Sequence, residues 1–238
     1  MLNVKNLSVS YDYLQVVWDV SFQVDEGHVV AILGPNGAGK STTLKCIAGI
    51  LPAKGGVIEF MGQNITNMPT HYLPKLGLTF IPEERNLFPA MTVYDNLMMG
   101  AYILKDKKQI TRNLDYVFSL FPRLAERRSQ YAGTMSGGER QMLAVARGLM
   151  SNPRMVILDE PSIGLSPENV LIVFETIDKL KSEKVTVLIV EQNVDTTLKY
   201  SDEAYVIERG RIVLYDASHK LLNNDYVKRM YLGLDAVA

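Results

Sequence analysis

Nine consecutive residues, Gly34-Pro35-Asn36-Gly37-Ala38-Gly39-Lys40-Ser41-Thr42, have the composition and spacing of a loop that cradles phosphate. Its glycines let successive backbone N–H groups turn inward around an anion, and a helix from Ser41 presents its positive dipole end to the same charge. Lys40 is placed to neutralise β- and γ-phosphate charge, and the Ser41 hydroxyl to ligate Mg²⁺. The run His28 to Leu33 before the loop reads as a strand, and Leu44, Ile47 and Ala48 after it form one helix face. A bare connecting turn is the alternative, and those flanks weigh against it.

Two further segments carry chemistry. Met155-Val156-Ile157-Leu158 reads as a buried parallel strand that ends in Asp159 and Glu160. At the carboxyl edge of a parallel sheet that also holds a phosphate loop, Asp159 suits Mg²⁺ through water and Glu160 suits polarising an attacking water. Taken alone, such an ending is often a strand meeting solvent; the phosphate loop favours the chemical reading. Thr134-Met135-Ser136-Gly137-Gly138-Glu139-Arg140-Gln141 leads into a helix with Met142, Val145, Ala146 and Leu149 on one face. Ser136 suits an N-cap, and Gly137 and Gly138 bare N–H groups at the helix start, which makes a second anion site. One nucleotide does not easily need two such loops from one chain. The tension is resolved if each loop faces a different side of a nucleotide in a dimer.

The elements that must position these residues follow an α/β pattern. Core strands are expected at His28 to Leu33, Leu78 to Ile81, Met155 to Leu158 and Thr186 to Val190. Leu2 to Ser10, Val17 to Val24 and Gly56 to Phe60 alternate between polar and apolar residues and are expected to form a smaller antiparallel sheet. Ala204 to Ile207 and Arg211 to Tyr215 flank Glu208-Arg209-Gly210, read as a three-residue hairpin connection. From about Thr92 to Met150 the strands stop: Thr92 with Asp95 makes a capping box, and Ile110, Leu114, Val117, Phe118 and Phe121 repeat at helical spacing. The expected organisation is one domain, with a phosphate-binding α/β core from 1–91 and 151–238 and a helical subdomain over 92–150.

Composition narrows the setting. The 238 residues carry 25 Lys and Arg against 26 Asp and Glu, a formal net charge of −1, which argues against a broad basic surface for nucleic acid. No run approaches the ~20 apolar residues that cross a bilayer, and the start lacks the pattern of a secretion signal. The single cysteine, Cys46, reads as a small core residue of a helix, and its lack of a disulfide partner fits a reducing, cytoplasmic setting.

With these three motifs in this order, the sequence resembles the nucleotide-binding subunit of an ABC transporter along essentially its whole length. The resemblance implies a P-loop NTPase fold with a RecA-like, mainly parallel core sheet, an antiparallel β subdomain and an α-helical insert. It implies two domains paired head to tail, with itself or a sister ATPase, and ATP held by the Lys40 loop of one and Ser136, Gly137, Gly138 and Glu139 of the other. Tyr11 matches the aromatic that stacks on adenine, and Val16 the apolar contact beside it. Partners implied are integral membrane permease subunits and, through them, a substrate-binding protein; the location implied is the cytoplasmic face of the membrane, as a peripheral subunit.

Three positions depart from the commonest pattern of that family. Glu83, in Ile81-Pro82-Glu83-Glu84-Arg85, takes the place of a metal-touching Gln, and Ser166 takes the place of an Asp. Gln192, in Val190-Glu191-Gln192-Asn193, takes the place of a His. Glu83 still offers Mg²⁺ an oxygen. Gln192 can hydrogen-bond a γ-phosphate or the attacking water but cannot carry a proton as His does. Ser166 followed by Pro167 reads as an N-cap with Pro at the first helical position. The combination resembles the ATPases of branched-chain amino acid importers, in particular the shorter of the two such systems carry, while amide and urea importers share much of it. Phe88 and Met91, in an apolar loop, match the region that receives the coupling helix of a membrane subunit. A role packing under the insert stands beside that reading.

Overall fold

Polar and apolar residues alternate along β1 (Leu2–Tyr11) and β2 (Leu14–Val24), which pair antiparallel in a computed structural model describing residues 1–231. β3 (Val29–Leu33) is buried at every position and leads through the phosphate loop into α1 (Lys40–Ile47). β4 (Ala53–Phe60) and β5 (Gln63–Asn64) complete an antiparallel sheet of order β2-β1-β4-β5. There follow α2 (Leu73–Leu76), β6 (Leu78–Ile81), α3 (Val93–Gly100), α4 (Lys107–Leu120), α5 (Pro122–Glu126), α6 (Gly137–Leu149) and β7 (Met155–Asp159). The chain continues with α7 (Pro167–Ser182), β8 (Thr186–Glu191), α8 (Val194–Tyr200), β9 (Glu203–Glu208), β10 (Arg211–Ala217), α9 (Ser218–Leu221) and α10 (Asp225–Tyr231).

The chain divides into two compact units. One comprises residues 1–70 with the chain from residue 177 onward, and the other residues 71–176. In the first, β3 lies between β8 and β9, parallel to both, and β10 pairs antiparallel with β9. β3 and β8 are buried along their whole length, which is why β3 and the Val187–Val190 centre of β8 read as apolar runs rather than alternations. In the second unit β6 and β7 run parallel, with Ile81 opposite Leu158. The Thr92–Asp95 capping box opens α3, with Thr92 Oγ1 accepting from the Asp95 N–H and the Asp95 carboxylate accepting from the Thr92 N–H. Val117 within α4 and Phe121 just past its end are buried. Among the described residues no helix is long and apolar enough to cross a membrane.

Three expectations are corrected, the simplest being that β4 starts at Ala53 instead of Gly56. The β9–β10 connection is a two-residue turn, because Glu208 pairs with Arg211 and only Arg209 and Gly210 lie between them, both left-handed at φ 48° and 77°. That is the backbone a tight hairpin needs to match strand twist. β2 starts at Leu14 instead of Val17, since its first residues are exposed or half-exposed and have no apolar contrast to mark them. Cys46 is buried in α1 as expected, and burial pushes its thiol up to about 11, which keeps it protonated at neutral pH.

Candidate active site

In the first unit, packing shapes the phosphate loop. A Cβ on Gly34 would lie 2.2 Å from the Ile207 carbonyl oxygen, so only glycine lets β3 leave the sheet against β9. Gly37 and Gly39 take left-handed backbone at φ 78° and 103°, and around Gly37 there is open space. Lys40 begins α1 and is only 4% exposed; its ammonium donates to the carbonyls of Gly34 at 2.9 Å and Pro35 at 3.1 Å. The charge thus sits within the curl of the loop. No acidic residue occupies the first turn of α1 to offset the positive helix end.

Tyr11, at the end of β1, is 44% exposed and its hydroxyl lies 3.5 Å from Thr42 Oγ1. The Val16 carbonyl packs against Gly39, and the Gly210 N–H donates to the Ala38 carbonyl at 2.9 Å. The structure therefore brings Tyr11 and Val16 to the loop of residues 34–42. Gln192 follows β8, whose Glu191 is in register with Leu33, so it stands level with Gly34 and is exposed.

In the second unit, parallel pairing sets Glu83 and Glu160 at the same edge, each two residues past the Ile81–Leu158 pair. Asp159 is 1% exposed and Glu160 6%. Glu160 takes φ 46°, a left-handed backbone that costs ~1 kcal/mol for a residue with a Cβ and that clusters at active sites. Ser136 caps α6: its hydroxyl accepts from the Glu139 N–H at 3.3 Å, and Glu139 accepts from the Ser136 N–H at 2.9 Å. Glu139 also pairs with Arg127 at 3.1 Å. Gly137 faces open space, whereas a Cβ on Gly138 would lie 2.3 Å from Nδ2 of Asn169, which itself donates to Ser166 Oγ at 2.9 Å. Ser166 does precede a helix with Pro167 at its first position.

Phe88 lines a largely apolar cavity of about 390 Å³ with Phe80, Ile81, Met99, Tyr102 and Arg147. Met91 lies outside it, its carbonyl accepting from the Ala132 N–H at 3.0 Å. Three polar residues here escaped the sequence pattern: Asn96 and Gln141, at 0% and 1% exposure, and Arg147, whose guanidinium pKa burial lowers. Asn96 stands three residues after Val93, and Gln141 adjoins Met142. A polar residue on an apolar helix stripe was the available signal.

Among the described residues no group of three or more His, Cys, Asp or Glu side chains could hold a metal. The oxygens present suit Mg²⁺ instead, which binds through one or two carboxylates together with waters and substrate phosphates. The buried Asp159 carboxylate, the Ser41 hydroxyl and the exposed Glu83 carboxylate are donors of that kind.

A strand, a glycine-rich loop closed on its lysine, and a second parallel strand ending in Asp-Glu define an α/β P-loop NTPase. The ABC transporter family model matches residues 17–163. A high-affinity branched-chain amino acid transport ATP-binding protein, BraG of Pseudomonas aeruginosa, is 45% identical over 233 residues, 98% of this chain and 100% of that protein. The probable branched-chain amino acid transport ATP-binding protein LivF of Archaeoglobus fulgidus is 37% identical over 235 residues, 98% of this chain and 99% of that protein. The crystal structure of the ADP conformation of MJ1267, an ATP-binding cassette of an ABC transporter, superposes with a TM-score of 0.84 at 29% identity, covering 98% and 99% of the two chains. The chain belongs to the ABC transporter family, as an ATP-binding, ATP-hydrolysing subunit.

Proposed function

We propose that this subunit powers uptake of branched-chain amino acids across the cytoplasmic membrane, working as a peripheral protein on its cytoplasmic face. The observation that carries the cargo is the 45% identity, end to end, with a branched-chain amino acid transport ATPase. In this reading two ATP-binding domains, two copies of this chain or this chain and a sister ATPase, close head to tail on ATP. Tyr11 stacks on adenine with Val16 beside it. Gly34, Pro35, Asn36, Gly37, Ala38, Gly39, Ser41 and Thr42 wrap the phosphates, and Ser136, Gly137, Gly138 and Glu139 complete the site of the partner domain.

Glu160 orients the water that attacks the γ-phosphate, and Gln192 hydrogen-bonds the water or that phosphate. Lys40 spreads the charge that develops on the phosphoryl oxygens. Ser41, Glu83 and Asp159 would hold Mg²⁺, which supplies further neutralisation of phosphate charge. A membrane permease docks on the cavity beside Phe88; an apolar lining with Phe88, Met99 and Tyr102 exposed suits a protein partner. Hydrolysis reopens the pair and resets the permease.

The test is uptake of labelled leucine, isoleucine and valine by cells lacking this gene, complemented with wild type or Glu160→Gln. Wild type alone should restore uptake. Unchanged uptake in the deletion strain overturns the cargo assignment.

A further inference from the structure

One short strap of chain, Glu83 to Thr92, is fastened at more points than a surface loop needs. The Arg85 N–H donates to the Pro82 carbonyl at 3.0 Å, closing a turn around Glu83 and Glu84. Arg85 and Asn86 that follow are both left-handed, at φ 62° and 46°, a conformation side-chain-bearing residues rarely adopt in succession. Arg147 grips that double turn: one of its terminal nitrogens donates to the Asn86 carbonyl at 2.6 Å and the other to the Arg85 carbonyl at 2.8 Å. The Arg85 side chain adds a second clasp, its Nε donating to the buried Gln141 at 2.7 Å. Beyond the turn, Asn96 accepts from the Phe88 N–H and donates to the Phe88 and Thr92 carbonyls, each at 3.0 Å.

Glu83 itself is exposed and lies between two fixed points, the end of β6 and the clasped Arg85 carbonyl. Both clasps come from α6, the helix that opens with Gly137 and Gly138. The Arg147 guanidinium also lies 5.8 Å from the Phe88 ring centroid and lines the apolar cavity, so the cavity and the strap share one side chain.

We propose that Arg147 is a positioning residue for the metal site: by fixing the Arg85–Asn86 turn it holds the Glu83 carboxylate where Mg²⁺ is bound. The inference rests on the reading of Glu83 as a metal contact. An arginine is required because its planar fork offers two N–H donors at fixed spacing to two carbonyls at once, whereas a lysine is a single point donor. Outer residues that orient a ligand act on metal affinity and leave the binding of the metal-free nucleotide alone.

The test compares purified full-length wild type with Arg147→Lys, Arg147→Gln and Glu83→Ala. It reads the Mg²⁺ concentration for half-maximal ATP hydrolysis, the affinity for a fluorescent ATP analogue in EDTA, amide hydrogen exchange over residues 83–92, and the thermal midpoint. Arg147→Gln should raise the half-maximal Mg²⁺ concentration about ten-fold and Arg147→Lys by less, with EDTA affinity within about two-fold of wild type. Exchange over 83–92 should speed up in both. Faster exchange with an unchanged Mg²⁺ requirement, while Glu83→Ala raises it, makes Arg147 a structural clasp alone and overturns the proposal. An unchanged requirement in Glu83→Ala removes the metal role of Glu83, and the proposal falls with it. If Arg147→Gln does not fold, Arg147→Lys, which keeps the charge, decides the matter.

Discussion

The Lys40 ammonium donates to the carbonyl of Gly34 at 2.9 Å, so the first residue of α1 reaches back to the residue that follows β3. The helix start, the strand end and the loop between them are thereby one hydrogen-bonded ring with a positive charge inside it. No other basic side chain occurs from Gly34 to Thr42. Lys40→Ala should therefore lower ATP turnover by on the order of 10²-fold or more. Phosphate release at saturating MgATP measures it, and a rate near wild type would remove Lys40 from the chemistry.

Glu160 follows a fully buried strand and is itself buried in strained backbone. Glu160→Gln keeps the shape and removes the charge. Turnover should fall about 10²- to 10⁴-fold, the usual contribution of a positioned acid or base, with ATP binding retained. Single-turnover kinetics with an equilibrium binding measurement separates the two. Loss of binding in step with turnover would sink the assignment.

What the sequence made legible was local. The phosphate loop, the Asp-Glu strand end and the Ser136 cap each lie within about ten consecutive residues, where backbone and side-chain preferences act together. The core strands were visible because burial on both faces makes them predominantly apolar runs. What stayed hidden depends on contacts across long separations. Gln141 meets Arg85 and Arg147 meets Asn86 more than 50 positions away, and nothing near any of the four residues announces its partner. The two-residue β9–β10 turn was misread because Glu208 looks like a turn residue until its pairing with Arg211 is seen. The first residues of β2 were missed since pairing with β1, not burial, makes them a strand.

The Ser136–Glu139 box makes a pH prediction. The backbone hydrogen bond from Ser136 holds the Glu139 carboxyl below its usual range, helped by the Ser136 hydroxyl and by Arg127 and Arg123, against a smaller opposing effect of burial. A carboxyl whose pKa is lower folded than unfolded stabilises the fold above the unfolded value of about 4.3, and loses that contribution as pH falls through the folded value. The stability gap between wild type and Glu139→Gln should thus be widest near neutral pH and shrink in acid. Glu139→Ala, which breaks the box, should cost about 1 kcal/mol. Denaturant midpoints across a pH series measure both, and a gap independent of pH would deny the charge any role.

Gly34 tests the packing of the loop apart from its chemistry. With a Cβ forced to within 2.2 Å of the Ile207 carbonyl, β3 or β9 must shift. Gly34→Ala should destabilise by about 1–3 kcal/mol, the range for overpacking a tight contact. Thermal unfolding reads the loss. An unchanged midpoint would show that the strands give way freely there.

Phe88 and Asn96 separate docking from scaffolding on the same loop. Phe88 is 42% exposed and lines the cavity, while its backbone N–H and carbonyl are both bonded to Asn96. Removing the ring leaves those backbone bonds intact. Phe88→Ala should therefore keep stability within ~0.5 kcal/mol and leave ATP hydrolysis by the isolated chain near wild type. Its recovery with the membrane subunit should fall. Asn96→Ala strands the N–H of Phe88 and takes one donor each from the carbonyls of Phe88 and Thr92, which keep the backbone N–H groups of Met91 and residue 96, and should cost about 1–3 kcal/mol. If Phe88→Ala lowered the melting temperature as much as Asn96→Ala does, the ring would be part of the scaffold and the cavity would lose its claim as the docking face.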